Sequence, residues 1–86
     1  MKVIHKFTLG VTNEQSVTLT DGAQPLCVQV QNGKPHLWVL LDPQEQPIEY
    51  TVYTVGTGHN THHIKETYLG TYQLEGGALV FHVFIY

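Results

Sequence analysis

Six histidines and not one arginine mark this chain of 86 residues. Three of the histidines, His59, His62 and His63, crowd the string GHNTHH. Imidazole is the commonest metal ligand among side chains near neutral pH, so metal binding is the first chemistry to weigh. A zinc site needs three or four ligands converging tetrahedrally, and the single cysteine, Cys27, is too remote to complete a recognised spacing. Adjacent His62 and His63 point apart on extended backbone. A solvated polar loop is therefore expected, with His59, His62 and His63 as weak metal candidates only. His82 differs, because it interrupts the apolar run ALVFHVFIY. A histidine there either satisfies its ring nitrogens within the fold or serves catalysis, and Thr71 falls directly opposite it in the expected hairpin.

Two further constellations bear on binding. The run Gly56-Thr57-Gly58-His59 is either a sharp turn at a strand end or a cradle of backbone N–H groups for an anion. It lacks the spacing of a nucleotide-binding fingerprint. Trp38, with Cys27 opposite and His36 and Gln29 adjoining, forms an apolar patch that is either covered by a second layer or offered for recognition. Nucleophilic catalysis has little to work with. Ser16 is the only serine, no GxSxG is present, and Cys27 has no lysine or histidine activator on its own strand. No enzyme, no cofactor and no catalytic residue is expected.

Composition sets the frame for these groups. Hydrophobic residues make up 42% and charged ones 13%, against roughly 25% charged in ordinary soluble domains, so the chain folds as a globule. The length accommodates a single β domain, residues 1–86, whose small core makes a homo-oligomer a natural supplement. A net charge of −3 with four scattered lysines excludes nucleic acid as the main partner. The N-terminal alternation MKVIHKFTLG is not a signal peptide, and no run approaches the roughly 18 apolar residues of a membrane span. No membrane association and a reduced, cytoplasmic setting are expected.

The elements that must position these residues are strands. Period-two alternation predicts strands near residues 2–9, 16–20 and 48–55, with His5 interrupting an apolar face of the first. Asn32-Gly33, between two alternating runs, predicts a type I′ hairpin that pairs Val28 with Leu37, Val30 with Pro35, Cys27 with Trp38 and Leu26 with Val39. Gly76-Gly77 predicts a second hairpin, pairing Leu74 with Leu79, Tyr72 with Phe81, Gly70 with Val83, Thr71 with His82 and Leu69 with Phe84. Its last strand is apolar on both faces, the pattern of a strand covered on both sides. THHIKET has the makings of a short helical turn. The sum is an all-β sandwich or barrel of about seven short, mostly antiparallel strands.

The strings VQVQNGKPHLWVLLDP, YTVGTGH and LGTYQLEGGALVFHVF resemble a group of small proteins of unknown function from bacteriophages, prophages and bacteria. Members begin with a lysine-bearing strand like KVIHKF and end on a GG-LVFH-F strand. The resemblance spans Lys2 to Phe84 and implies a stand-alone phage-type accessory domain, with no assigned catalytic residue. The HNTHH tail of the loop is not part of that pattern.

Two functions follow as expectations. The first is a non-catalytic accessory protein that binds and blocks a host defence protein, in the host cytoplasm. The second is a small-ligand binder that sequesters an anionic metabolite or nucleotide signal between protomers. Trp38, His36, Gly56, Thr57, Gly58 and His59 are the candidate contacts in both. The missing arginine weighs against the second, because bidentate guanidinium forks are the usual phosphate grip.

Overall fold

A computed structural model describes residues 1–61 and 66–86. Seven antiparallel strands form: β1 (Val3–Thr8), β2 (Glu14–Thr20), β3 (Gln24–Gln31), β4 (Lys34–Leu41), β5 (Pro47–Gly56), β6 (Thr67–Leu74) and β7 (Leu79–Ile85). They make one sheet of order β1-β4-β3 and another of order β2-β5-β7-β6. The all-β expectation holds. The suggested helical turn and two of the loop histidines fall wholly or partly on 62–65, outside the described residues.

Turn chemistry explains both hairpins. Asn32 and Gly33 sit at φ 55° and 76°, the pair of positive values that a type I′ turn demands and that Asn-Gly tolerates. Near the turn the register is as expected, with Val28 opposite Leu37 and Cys27 opposite Trp38. Farther out it slips: Pro25, not Leu26, faces Val39. Pro25 has no N–H to give a regular ladder, so a bulge here costs little and leaves Leu26 42% exposed. The second hairpin slips in the same way, with Tyr68 rather than Leu69 opposite Phe84. That bulge adjoins Gly70, whose φ of 156° suits glycine and whose backbone lies against Val28 of β3. β6 can therefore run close beside β3 and bring the edges of the two sheets together.

Both sheets turn one face inward onto a shared core of Leu9, Leu19, Val28, Leu37, Val39, Leu41, Val52, Tyr72, Val83 and Ile85. Leu37, Val39, Val52 and Val83 are wholly buried. Alternation then sends His36, Trp38 and Leu40 to the outer face of the first sheet, and Tyr53, Val55, His82 and Phe84 to the outer face of the second. The expectation that the last strand is covered on both sides needs correcting. Val80, His82 and Phe84 stay half-exposed, and their shelter comes from neighbours in the sheet, such as the Tyr68 ring 5.5 Å from that of Phe84. β7 is apolar because it lies inside its sheet between β5 and β6.

The register makes a stability contrast. Leu37→Ala removes a wholly buried side chain and is expected to lower the unfolding free energy by about 2–5 kcal/mol. Leu26→Ala, on the bulge, is expected to cost about 1 kcal/mol or less. Urea denaturation of both variants checks this, and equal costs would contradict the bulge.

Candidate functional site

β4 carries the first group of candidate contacts. Trp38 faces Lys6 of β1 on one side and Cys27 of β3 on the other. The Lys6 ammonium lies 5.6 Å from the Trp38 ring centroid and donates to Oε1 of Gln31 at 2.6 Å. A lysine so placed gains a cation–π contact while its alkyl stem covers part of the indole. Trp38 is half-buried, and its Nε1–H is shielded from solvent without an acceptor. Ile4, opposite Leu40, is 59% exposed. The outer face of this sheet thus presents an indole, two aliphatic side chains and one lysine. His36 is buried beside it, and its Nδ1–H donates to the Lys34 carbonyl at 2.9 Å. That ring is a fixed part of the strand rather than a free contact.

The turn after β5 holds the second group. The His59 N–H donates to the Gly56 carbonyl at 3.1 Å, and Gly58 sits at φ 84°, as the third residue of a type II turn requires. The Thr57 N–H donates to the Val80 carbonyl at 3.1 Å. Two amides that an anion cradle would use are therefore spent inside the fold, and the turn reading prevails. His59 folds back over its own turn, so closely that a Cβ on Gly56 would meet the imidazole at 3.1 Å. Beside it lies a polar cleft of about 240 Å³ lined by Asn13, Glu14, Tyr53, His59 and Asn60, among others. Partial burial, then the carboxylates of Glu14 and Glu66, hold the Tyr53 phenol above the ordinary tyrosine range. A cleft edged by a glutamate disfavours an anion.

The two groups do not meet within one chain. Trp38 and His36 lie on the outer face of the first sheet, and Gly56 to His59 close the end of a strand in the second. Those sheets look away from each other across the core. No set of three or more His, Cys, Asp or Glu side chains among the described residues could hold a metal ion.

A third cluster is larger than the reading of Thr71 and His82 alone suggests. His82 is clamped by two threonines, with Nε2 at 2.7 Å from Oγ1 of Thr57 and Nδ1 at 2.9 Å from Oγ1 of Thr71. Thr71 continues to the Tyr68 hydroxyl at 2.6 Å. Hydroxyls donate or accept as required, so the chain satisfies either tautomer of a neutral ring. With both nitrogens engaged, His82 is held for structure. Thr57 enters the clamp because β5 pairs with β7, a long-range contact that leaves no local signal. Lys6 over Trp38 depends in the same way on the β1–β4 pairing.

Fold and surface define a small all-β domain whose first sheet carries Trp38 on its outer face. The chain belongs to the family described as Domain of unknown function (DUF7352), whose model matches residues 1–86. No curated protein and no solved structure matches it.

The clamp predicts coupled energetics. Thr57→Val and Thr71→Val are each expected to cost about 0.5–1.5 kcal/mol. The double variant is expected to fall short of their sum by about 0.5 kcal/mol, since both hydroxyls hold one ring. A double-mutant cycle by chemical denaturation reads this, and strict additivity would show that the ring transmits nothing.

Proposed function

We propose that this domain is a non-catalytic binding module, a phage-type accessory protein that occupies a surface of a host defence protein in the host cytoplasm. The observation that carries the reading is Trp38. Its indole sits half-buried on an outer sheet face, roofed on one side by Lys6. Tryptophan is enriched at interface centres, and the neighbouring Ile4 and Leu40 extend the apolar patch around it. Phage origin rests on the resemblance of the hairpin, turn and last-strand motifs. No helix among the described residues is long and apolar enough to cross a membrane, which is compatible with the cytoplasmic setting.

The competing reading, sequestration of an anionic metabolite between protomers, has lost support. The amides of Thr57 and His59 are internally bonded, and Glu14 borders the adjoining cleft.

The test compares Trp38→Ala with Gln73→Ala, an exposed position on the other sheet. Each variant is titrated against the host protein that the wild-type domain captures from cells. Trp38→Ala is expected to weaken binding about tenfold or more, as loss of a hot-spot residue does, and Gln73→Ala to leave it unchanged. Equal affinity of the two variants would remove the basis of the reading. Thermal stabilisation by nucleotides that Trp38→Ala does not alter would transfer the case to sequestration.

A further inference from the structure

We infer that β1 is the contact strand of a symmetric dimer, in which it pairs antiparallel with β1 of a second copy and fuses two three-stranded sheets into one of six. Each sheet has two edges. β3 and β6 shelter each other, which leaves β1 and β2 without a neighbouring strand on one side among the described residues. An open edge offers unpaired N–H and C=O groups, and monomeric proteins commonly protect it with charge or polarity. β2 is protected in this way, since Glu14, Gln15, Ser16, Thr18 and Thr20 leave only Val17 and Leu19 apolar. β1 is not. It reads Val-Ile-His-Lys-Phe-Thr, with Val3 36% and Ile4 59% exposed. Its single charge, Lys6, is drawn away from the open edge, across Trp38 of β4 to Gln31 of β3.

The occupant follows from parity and charge. The Leu9 N–H donates to the Pro35 carbonyl at 2.9 Å, in step with the β1–β4 register. Antiparallel bonding alternates, so Val3, His5 and Phe7 turn their backbone groups to β4, while Ile4, Lys6 and Thr8 turn theirs to the open side. A second β1 can bond there only in registers that match these groups. Setting Lys6 against the partner's Lys6 opposes two ammonium groups. Setting Ile4 against the partner's Ile4 instead places Lys6 opposite the partner's Lys2. The register between them opposes no like charges. It puts Ile4 opposite the partner's Lys6, Val3 opposite the partner's Phe7, and His5 beside the partner's His5 on the two-fold axis. Each chain then supplies the partner that the other needs, as a two-fold interface requires. On the outer face Ile4 then lies between Leu40 of its own chain and the strand of the second copy. One consequence is that both Trp38 faces join a single continuous surface.

Sedimentation equilibrium or light scattering on the intact chain tests this. The wild type is expected to be a dimer. Ile4→Lys sets lysine against lysine twice per dimer and is expected to raise the dissociation constant about tenfold or more. Adding Lys6→Glu to that variant restores opposite charges across the axis and is expected to restore the dimer. Ile4 and Lys6 are both exposed, and thermal melts confirm that the variants fold. A monomeric wild type, a dimer indifferent to Ile4→Lys, or a double variant that stays monomeric would each overturn the assignment.

Discussion

The inward face of β4 is the constraint on which the rest depends. Pro35, Leu37, Val39 and Leu41 are all buried, and β4 is the central strand of its sheet, between β1 and β3. Burying a leucine or valine side chain contributes about 1.5–3 kcal/mol, so a one-residue slip would forfeit the whole row. That register, once held, leaves no freedom in where the alternate residues go. Trp38 must stand on the outer face, Lys6 must lie beside it through the β1 pairing, and Cys27 must flank it through β3. The surface that most resembles an interface is thus a by-product of how the core is built.

The second sheet shows polar groups handled by the same economy. Its outer face carries a histidine in the middle of an apolar strand, where an unsatisfied ring would be costly. Thr71 of β6 and Thr57, just past the end of β5, close around that ring, and Tyr68 extends the chain. The turn after β5 spends its amides likewise, on Gly56 and Val80. Groups that look like ligand donors in a linear reading are in fact committed to holding strands together. The missing arginine and the internal use of these donors both favour the proposed contact between surfaces over capture of an anion.

Much of the fold was legible because it is written in local chemistry. Asn32-Gly33 and Gly76-Gly77 announce their hairpins, and alternation puts Val28 with Leu37 on one face and Tyr72 with Val83 on one face. The Thr71–His82 contact was legible too, since a tight hairpin sets its cross-strand neighbours by counting from the turn. Counting fails at the far ends of both hairpins, where bulges near Pro25 and at Leu69 accumulate after several regular pairs. A bulge reflects the competition between continuing a ladder and fitting the opposite sheet, and only the second of these terms is non-local. Lys6 over Trp38 and Thr57 on His82 were illegible for a related reason. Lys6 and Trp38 are 32 positions apart and Thr57 and His82 are 25 apart, and nothing in either segment names the other.

The sequence by itself determined that this is a domain of short strands, which turns join neighbours, and which residues share a strand face. Those properties follow from φ preferences and from a two-residue side-chain period, both of which act within a few residues. The tertiary structure alone decided that β1 lies against β4 and β5 against β7, that Trp38 faces outward, and that one edge carries exposed apolar residues while the other is polar. Strand partners are chosen by how completely one set of apolar faces covers another. That sum runs over the whole chain at once.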